Sequence, residues 1–406
     1  TRAVYGAVGS AVGTSAGVLG ALLFMGGVYL LNRSMIKRRI RRDTGHKTDS
    51  YGTVFKTIIG MVTPIILSTF IYNFSTSLNQ TIYSGILSGI KNVAEPEIAT
   101  MYGIFAGKAV VISNIPIALA SAMSAAIIPA VSASFAVGDS GAVRQKIGQA
   151  VRTTMLISIP SAIGLVVLAR PITQLLFPQR ASLEQASMLL ASIGITVVLY
   201  GLSTITNGVL QAVGQVNRPV VNALAALIVQ TLVLVGLLLY TDMNLYALSV
   251  AMIVYSLLMC LLNQMAVRRA LQYKQELVKT FCKPLMAAVL MGILARGAYE
   301  GVYYLLPVNV CALAASLLVA GITYFTAVMA LGGVEEADLR QLPKGTLLIS
   351  LGRKCYLLRD PENVAAARPV KGKKKSRKNK GKTDSKRKSS AKGDRKGEKN
   401  DTGNED

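Results

Sequence analysis

The chain has 406 residues, 52% of them hydrophobic, with a mean hydropathy of +0.46; a soluble domain has an apolar share of about 45–50% even with glycine counted, so a polytopic membrane protein is expected. The formal net charge of +24 looks like a nucleic-acid signature until it is located, because it is concentrated in a tail after Arg368 and in a few loops. One histidine, His46, and four scattered cysteines, Cys260, Cys282, Cys311 and Cys355, exclude paired-His zinc chemistry, a CxxC centre and a local Ser/His/Asp arrangement.

Nine windows are apolar over about the 20 residues that a spanning helix needs. The first, 4–31, sets Gly9, Gly13 and Gly17 at intervals of four, together with Gly6 and Gly20, a smooth face suited to close helix packing within the chain. The linker 32–53 carries Arg33, Lys37, Arg38, Arg39, Arg41, Arg42 and Lys47, which the positive-inside rule assigns to the cytoplasm. The second span, 54–83, contains Pro64 and then Asn73, Ser75, Thr76, Ser77, Asn79, Gln80 and Thr81, a run of hydrogen-bonding groups too dense to face lipid. It is expected to line a wet cavity.

The third span, 101–135, carries Lys108, Asn114, Pro116 and Pro129. A charge near mid-membrane costs at least about 2.5 kcal/mol, and prolines free carbonyls that neighbouring helices or a lined cavity must satisfy. That combination belongs to a transporter helix. Lys108 lies about one third of the way in, close enough to the surface for its stem to snorkel. The functional alternative is a cation facing the cavity that attracts a phosphate or pyrophosphate, with Asn114 deeper on the same helix. Asn73, Asn79, Gln80, Lys108 and Asn114 are therefore the candidate substrate-binding residues. No catalytic residue, metal or cofactor is expected.

Spans 153–177, 186–213, 220–240 and 245–267 follow, and then the pair 284–305 and 308–331. They hold Asn207, Gln211, Asn222, Gln230, Asn263 and Gln264; some must face the interior, and the sequence does not choose which. Pro160, Pro171 and Pro284 are candidate bends, and Arg296 with Glu300, one turn apart, reads as an interfacial ion pair. Alternation puts Arg144, Lys146 and Arg152, then Arg218, then Arg268, Arg269, Lys274, Lys279 and Lys283 inside. The opposite loops carry Lys91 with Glu95 and Glu97, then Arg170, Arg180 and Glu184, then Asp242. The chain thus starts outside and ends in the cytoplasm. A segment, 332–367, leads into a Lys/Arg-rich tail, 368–406, with too little apolar surface to fold. The tail reads as a solvated extension that reinforces topology; binding to anionic lipids is the sharper alternative, and no specific nucleic-acid partner is expected.

Several segments carry a resemblance: MYGIFAGKAVVISNIPIALASAMSAAIIPAVSASFAVGD, then RQKIGQAVRTTMLISIPSAIGLVVLARPITQLLFP, then GVLQAVGQVNRP, and GGVEEADLRQLPKG after the last span. In that order they resemble the polysaccharide-exporter and stage V sporulation protein B branch of the multidrug/oligosaccharidyl-lipid/polysaccharide flippase superfamily, which includes lipid II flippases. The likeness covers nearly everything from about residue 51 to residue 358. It implies an all-α polytopic membrane protein with spans 6–14 of a fourteen-span, two-lobe fold. Residues 1–31 would be the last helix of the N-terminal lobe, 54–267 the six-helix C-terminal lobe and 268–331 two extra helices that cradle a lipid tail. Five spans would then be missing, making the sequence a fragment or a truncated product.

The resemblance further implies alternating access in a bacterial plasma membrane, with an undecaprenyl-linked saccharide or peptidoglycan precursor, a polyprenyl-pyrophosphate-linked saccharide, as partner alongside membrane lipids. Lipid II flippases use carboxylates in their seventh and eleventh spans to hold sodium. The matching spans here offer Asn73, Asn79, Gln80, Asn222 and Gln230 but no Asp or Glu, so no ion ligand is carried over. Two rival readings stand beside this one: a multidrug or cation antiporter of the same fold, which should favour a buried carboxylate, and a non-transporting scaffold or remnant that uses the basic tail.

Overall fold

The computed structural model describes residues 2–42, 50–177 and 179–334. His46, Cys355, residues 335–367 and the basic tail lie outside the described residues. Within them the chain forms α1 (Arg2–Arg42), α2 (Tyr51–Gly89), α3 (Glu95–Ile104), α4 (Val111–Ala136), α5 (Ser140–Val167), α6 (Ala169–Leu176), α7 (Leu183–Ile193), α8 (Thr196–Ala212), α9 (Asn217–Tyr240), α10 (Leu245–Leu271), α11 (Lys283–Leu305) and α12 (Asn309–Ala330), with no strand among the described residues. A π-helical turn, Phe105–Val110, joins α3 to α4 into one long helix. Seven helical runs are long and apolar enough to cross a membrane, and α7 with α8, bent by 45°, makes an eighth. The remaining member of the nine expected spans is the 39-residue α2.

Local chemistry sets the breaks. Pro96 occupies the first turn of α3, where its missing N–H costs nothing, and Glu95 and Glu97 face the positive end of that helix. Asp139 caps α5 by accepting from Ala142 N at 2.9 Å. Gly138, at φ 75°, makes the turn between α4 and α5 that a residue with a Cβ would rarely adopt.

Two prolines explain how the last pair of helices docks. A proline ring blocks the carbonyl four residues earlier. Pro160 thereby frees the carbonyl of Leu156, which accepts a 2.8 Å hydrogen bond from the buried Tyr324 hydroxyl of α12. Pro171 frees that of Val167, toward which Arg296 of α11 extends Nη1 at 3.4 Å. Arg296 also pairs with Glu300 at 2.6 Å. Carbonyls that would be orphaned in hydrocarbon are thus satisfied by α11 and α12.

Apolar burial supplies little drive between helices already in lipid, so close packing and hydrogen bonds matter more. On α8, a Cβ at Gly201 would meet Ser158 Oγ at 2.6 Å and one at Gly208 would run into Ser124 Oγ, so both glycines admit neighbouring helices at close range. Ile147, Met155, Ile205 and Leu210 pack beside these contacts, and the same core reaches α11 and α12 through Met291 and Tyr324. The glycine face of α1 differs from expectation. A Cβ on Gly9, Gly13, Gly17 or Gly20 would meet nothing within 4 Å, because no other described helix lies against it.

Hydrogen bonds between loops fix which helix ends lie together. Lys91 Nζ reaches Thr241 O (2.9 Å), Asp242 Oδ1 (3.2 Å) and Asn244 Oδ1 (3.1 Å), joining two loops of the expected outer end. At the other end Arg144 Nε donates to Leu271 O at 3.0 Å and Arg152 meets Glu276 at 3.5 Å. Near that contact, burial and then the Glu276 charge push the Tyr273 phenol up to about 12, against a smaller opposing pull from Arg152.

Candidate functional site

The C-terminal half of α2 decides the character of the lobe's surface. Asn73, Ser77, Gln80, Ser84 and Ser88 recur at intervals of three and four, so they form one stripe. Asn73, Ser77 and Gln80 are exposed and Ser84 and Ser88 half-buried, while Ile71, Tyr83 and Leu87 point the other way into the protein. Polar groups at spanning depth are costly against lipid. Such a stripe suits a wet surface better than a lipid-facing one. Near its outer end Gln80, Ser84, Ser88, Glu95 and Tyr102 line a cleft of about 430 Å³ between α2 and α3, and the Tyr102 hydroxyl donates to Thr76 O at 3.2 Å.

Asn79 lies beside this stripe and turns inward. Its Oδ1 accepts from Gln230 Nε2 at 2.6 Å, and Gln230 Oε1 accepts from Ser75 Oγ at 3.1 Å. Gln230 is 1% exposed, so both ends of its amide are satisfied by α2. A second amide cluster centres on a buried residue. Asn263, 0% exposed, accepts from Asn222 Nδ2 at 2.8 Å and donates to Asn207 Oδ1 at 2.9 Å and Ser203 Oγ at 3.2 Å. These residues hold α8, α9 and α10 together, with Ser203 buried and Asn207 and Asn222 half-buried.

Lys108 sits on the π-helical turn, and its ammonium goes to the connection between α6 and α7. It donates to Gln179 Oε1 at 2.8 Å and Ser182 Oγ at 2.6 Å and stands 5.6 Å from the centre of the Phe177 ring. These bonds fit the snorkelling geometry. The expected grouping of Lys108 with the amides of α2 is not formed, because the lysine stem reaches the nearby loop instead. Asn114, six residues further on, is exposed on α4 with the small residues Gly107, Ala118 and Ala122 along the same side. Asn73, Asn79 and Gln80 are thus brought together on α2, Asn114 stands on a separate helix, and Lys108 is engaged elsewhere.

The neighbouring flank of α4 is apolar. Ile115 and Leu119 join Pro160 and Gly164 of α5 and Gly321 and Phe325 of α12 in lining a groove of about 450 Å³ whose wall is almost wholly apolar. The resemblance implied that the last two helices cradle a lipid tail; the sequence held no sign that α4 would face α12 across this groove. Nor did it single out Gln230. Among the described residues no group of three His, Cys, Asp or Glu side chains is placed to hold a metal.

The family described as "Lipid II flippase MurJ" matches residues 4–311. Among solved structures the chain is similar to a lipid II flippase MurJ in an inward closed conformation, at 17% identity and a TM-score of 0.48, over 75% of this chain and 59% of that one. It is also similar to a MOP superfamily transporter from Pyrococcus furiosus, at 12% identity and a TM-score of 0.43, over 72% of this chain and 68% of that one. The chain thus spans 59% of the length of the first of these flippases. The comparison with curated proteins gave no match.

Proposed function

Because the chain belongs to the lipid II flippase MurJ family, we propose that it forms part of a transporter that moves a polyprenyl-pyrophosphate-linked saccharide, of the peptidoglycan or envelope-polysaccharide type, across a bacterial plasma membrane. The observation that carries this reading is the division of α4. Asn114 and the exposed polar stripe of α2 offer hydrogen bonds to a head group, while Ile115 and Leu119, on the neighbouring flank of α4, open into an apolar groove. An amphiphile with a sugar head and a long hydrocarbon tail needs both surfaces side by side. The work is binding and reorientation, with no covalent chemistry. Alternating access would move the six-helix lobe 54–267 as a unit, and the Lys91 and Lys108 contacts, which tie its outer loops together, suit a body that rocks without deforming. The basic ends of α1, α5 and α10, taken with the positive-inside rule, support a cytoplasmic position for this end and for the C-terminus.

In this proposal Asn73, Gln80 and Asn114 form the head-group wall, Asn79 braces it from behind through Gln230, and Lys108 positions the outer connection. The test is retention of a polyprenyl-pyrophosphate disaccharide by the purified chain in native mass spectrometry. Gln80→Ala/Asn114→Ala should weaken retention about tenfold, the loss of one or two hydrogen bonds, and should not affect retention of polyprenol. Lys108→Ala should leave head-group selection unchanged. Equal retention of the disaccharide lipid and polyprenol by the unaltered chain would sink the proposal, and a tenfold loss in Lys108→Ala would return that lysine to the head-group site.

A further inference from the structure

At the end of the bundle opposite Lys91, the turn between α4 and α5 meets the C-terminus of α10 around a pocket of about 330 Å³. Its mainly polar wall includes Gly138, Ser140, Arg144, Arg269 and Gln272, with Phe135 at its edge. The backbone gives it shape, because Gly138 and Gln272 both adopt positive φ, 75° and 51°, and turn the two chains away from each other.

Arg144 is anchored there. Its Nε donates to Leu271 O at 3.0 Å, which leaves both Nη groups of the planar guanidinium available for a bidentate acceptor. Arg269 has no hydrogen bond or ion pair with a described residue. The acidic groups on the adjoining segments are engaged elsewhere: Asp139 caps α5 through Ala142 N, and Glu276 pairs with Arg152. Lys146, two residues further along α5, donates to Ala130 O and Ser134 Oγ and adds to the local positive field. Ser140, the first residue of the 28-residue α5, lies in the same wall, and the Asp139 carboxylate already caps that helix end.

Exposed apolar residues beside the pocket narrow the class of anion. Phe135 is 47% and Val137 79% exposed, at the end of a spanning helix and next to the two arginines. A soluble anion has no use for them, whereas a lipid phosphate arrives with acyl chains attached. We infer that this pocket binds the phosphate of an anionic phospholipid, held between Arg144 and Arg269, with Phe135 and Val137 seated among its acyl chains. A lipid bound this way joins the α4–α5 turn to the end of α10, two elements already linked by the Arg144–Leu271 bond.

Native mass spectrometry of the full chain after exchange into phosphatidylglycerol or phosphatidylcholine tests it. Phosphatidylglycerol should be retained and phosphatidylcholine lost. Arg144→Gln/Arg269→Gln should weaken phosphatidylglycerol retention about 30-fold, the product of two near-surface charges, while Arg218→Gln, on another loop of the same end, should have no effect. Arg144→Lys/Arg269→Lys keeps both charges and should still hold the lipid, which separates loss of the site from loss of the fold. Undiminished retention in the Gln variant overturns the inference, and so does displacement of the lipid by millimolar inorganic phosphate, which would make the ligand a soluble anion.

Discussion

Two amide clusters tie α9 to its neighbours, and they differ in what lies beyond them. Asn222 joins Asn263, Asn207 and Ser203 in a network around the buried Asn263, whereas Gln230, on the same helix, joins Ser75 and Asn79 at the edge of the exposed stripe of α2. Both satisfy polar groups at spanning depth. The second adjoins the stripe, where further polar groups are exposed. A polar residue in a membrane helix is thus no guide to a site by itself; the guide is whether its hydrogen bonds close among themselves or adjoin groups left open.

Substitutions can break that contrast, beginning with the cluster around Asn263. Asn263→Leu removes the hub and leaves Asn222, Asn207 and Ser203 short of partners in the core, which should cost about 2–3 kcal/mol and appear as a lower unfolding temperature in detergent. Gln230→Leu should cost less, about 1–2 kcal/mol, since it leaves two groups short of a partner, Ser75 and Asn79, and not three. If the two losses are equal by thermal unfolding, the distinction between the two clusters fails.

Tyr324→Phe, away from both clusters, orphans the Leu156 carbonyl that Pro160 exposes and should cost about 1 kcal/mol; combining it with Pro160→Ala, which restores the helix bond, should recover the loss. Gln80→Ala and Asn114→Ala should each change stability by less than about 0.5 kcal/mol, as expected of groups whose work is on a ligand. One effect is confined to alkaline pH. Tyr273 has its phenol raised to about 12 from an unfolded value of 10.0, so the unfolded chain releases this proton first. Stability is then unaffected below pH 10 and falls between pH 10 and 12, and Tyr273→Phe should remove that part of the alkaline loss in a pH series of unfolding curves.

What could be read from the sequence follows from the range of each signal. Spanning windows and the dense polar run from Asn73 to Thr81 are local, and the helices form where hydropathy places them. Proline positions were equally visible at 160 and 171, yet the groups that satisfy their freed carbonyls, Tyr324 and Arg296, lie more than a hundred residues away. Lys108 shows the limit most plainly. Its depth permits either a cavity cation or a snorkelling stem, and the choice is made by Gln179 and Ser182, 71 and 74 residues further along. The glycines of α1 advertise a close-packing face without saying what covers it. Asn222 and Gln230, on one helix, are alike in type and separated only by the neighbours that tertiary structure gives them.

The central claim is that α4 divides a wet head-group wall from a lipid-facing groove. Single cysteines at positions 80, 114, 115 and 119, placed in a background lacking Cys260, Cys282, Cys311 and Cys355, test it directly by their rates of reaction with a hydrophilic maleimide in membranes. Gln80→Cys and Asn114→Cys should react readily, and Ile115→Cys and Leu119→Cys should stay protected. Equal rates at positions 114 and 115 would contradict the account.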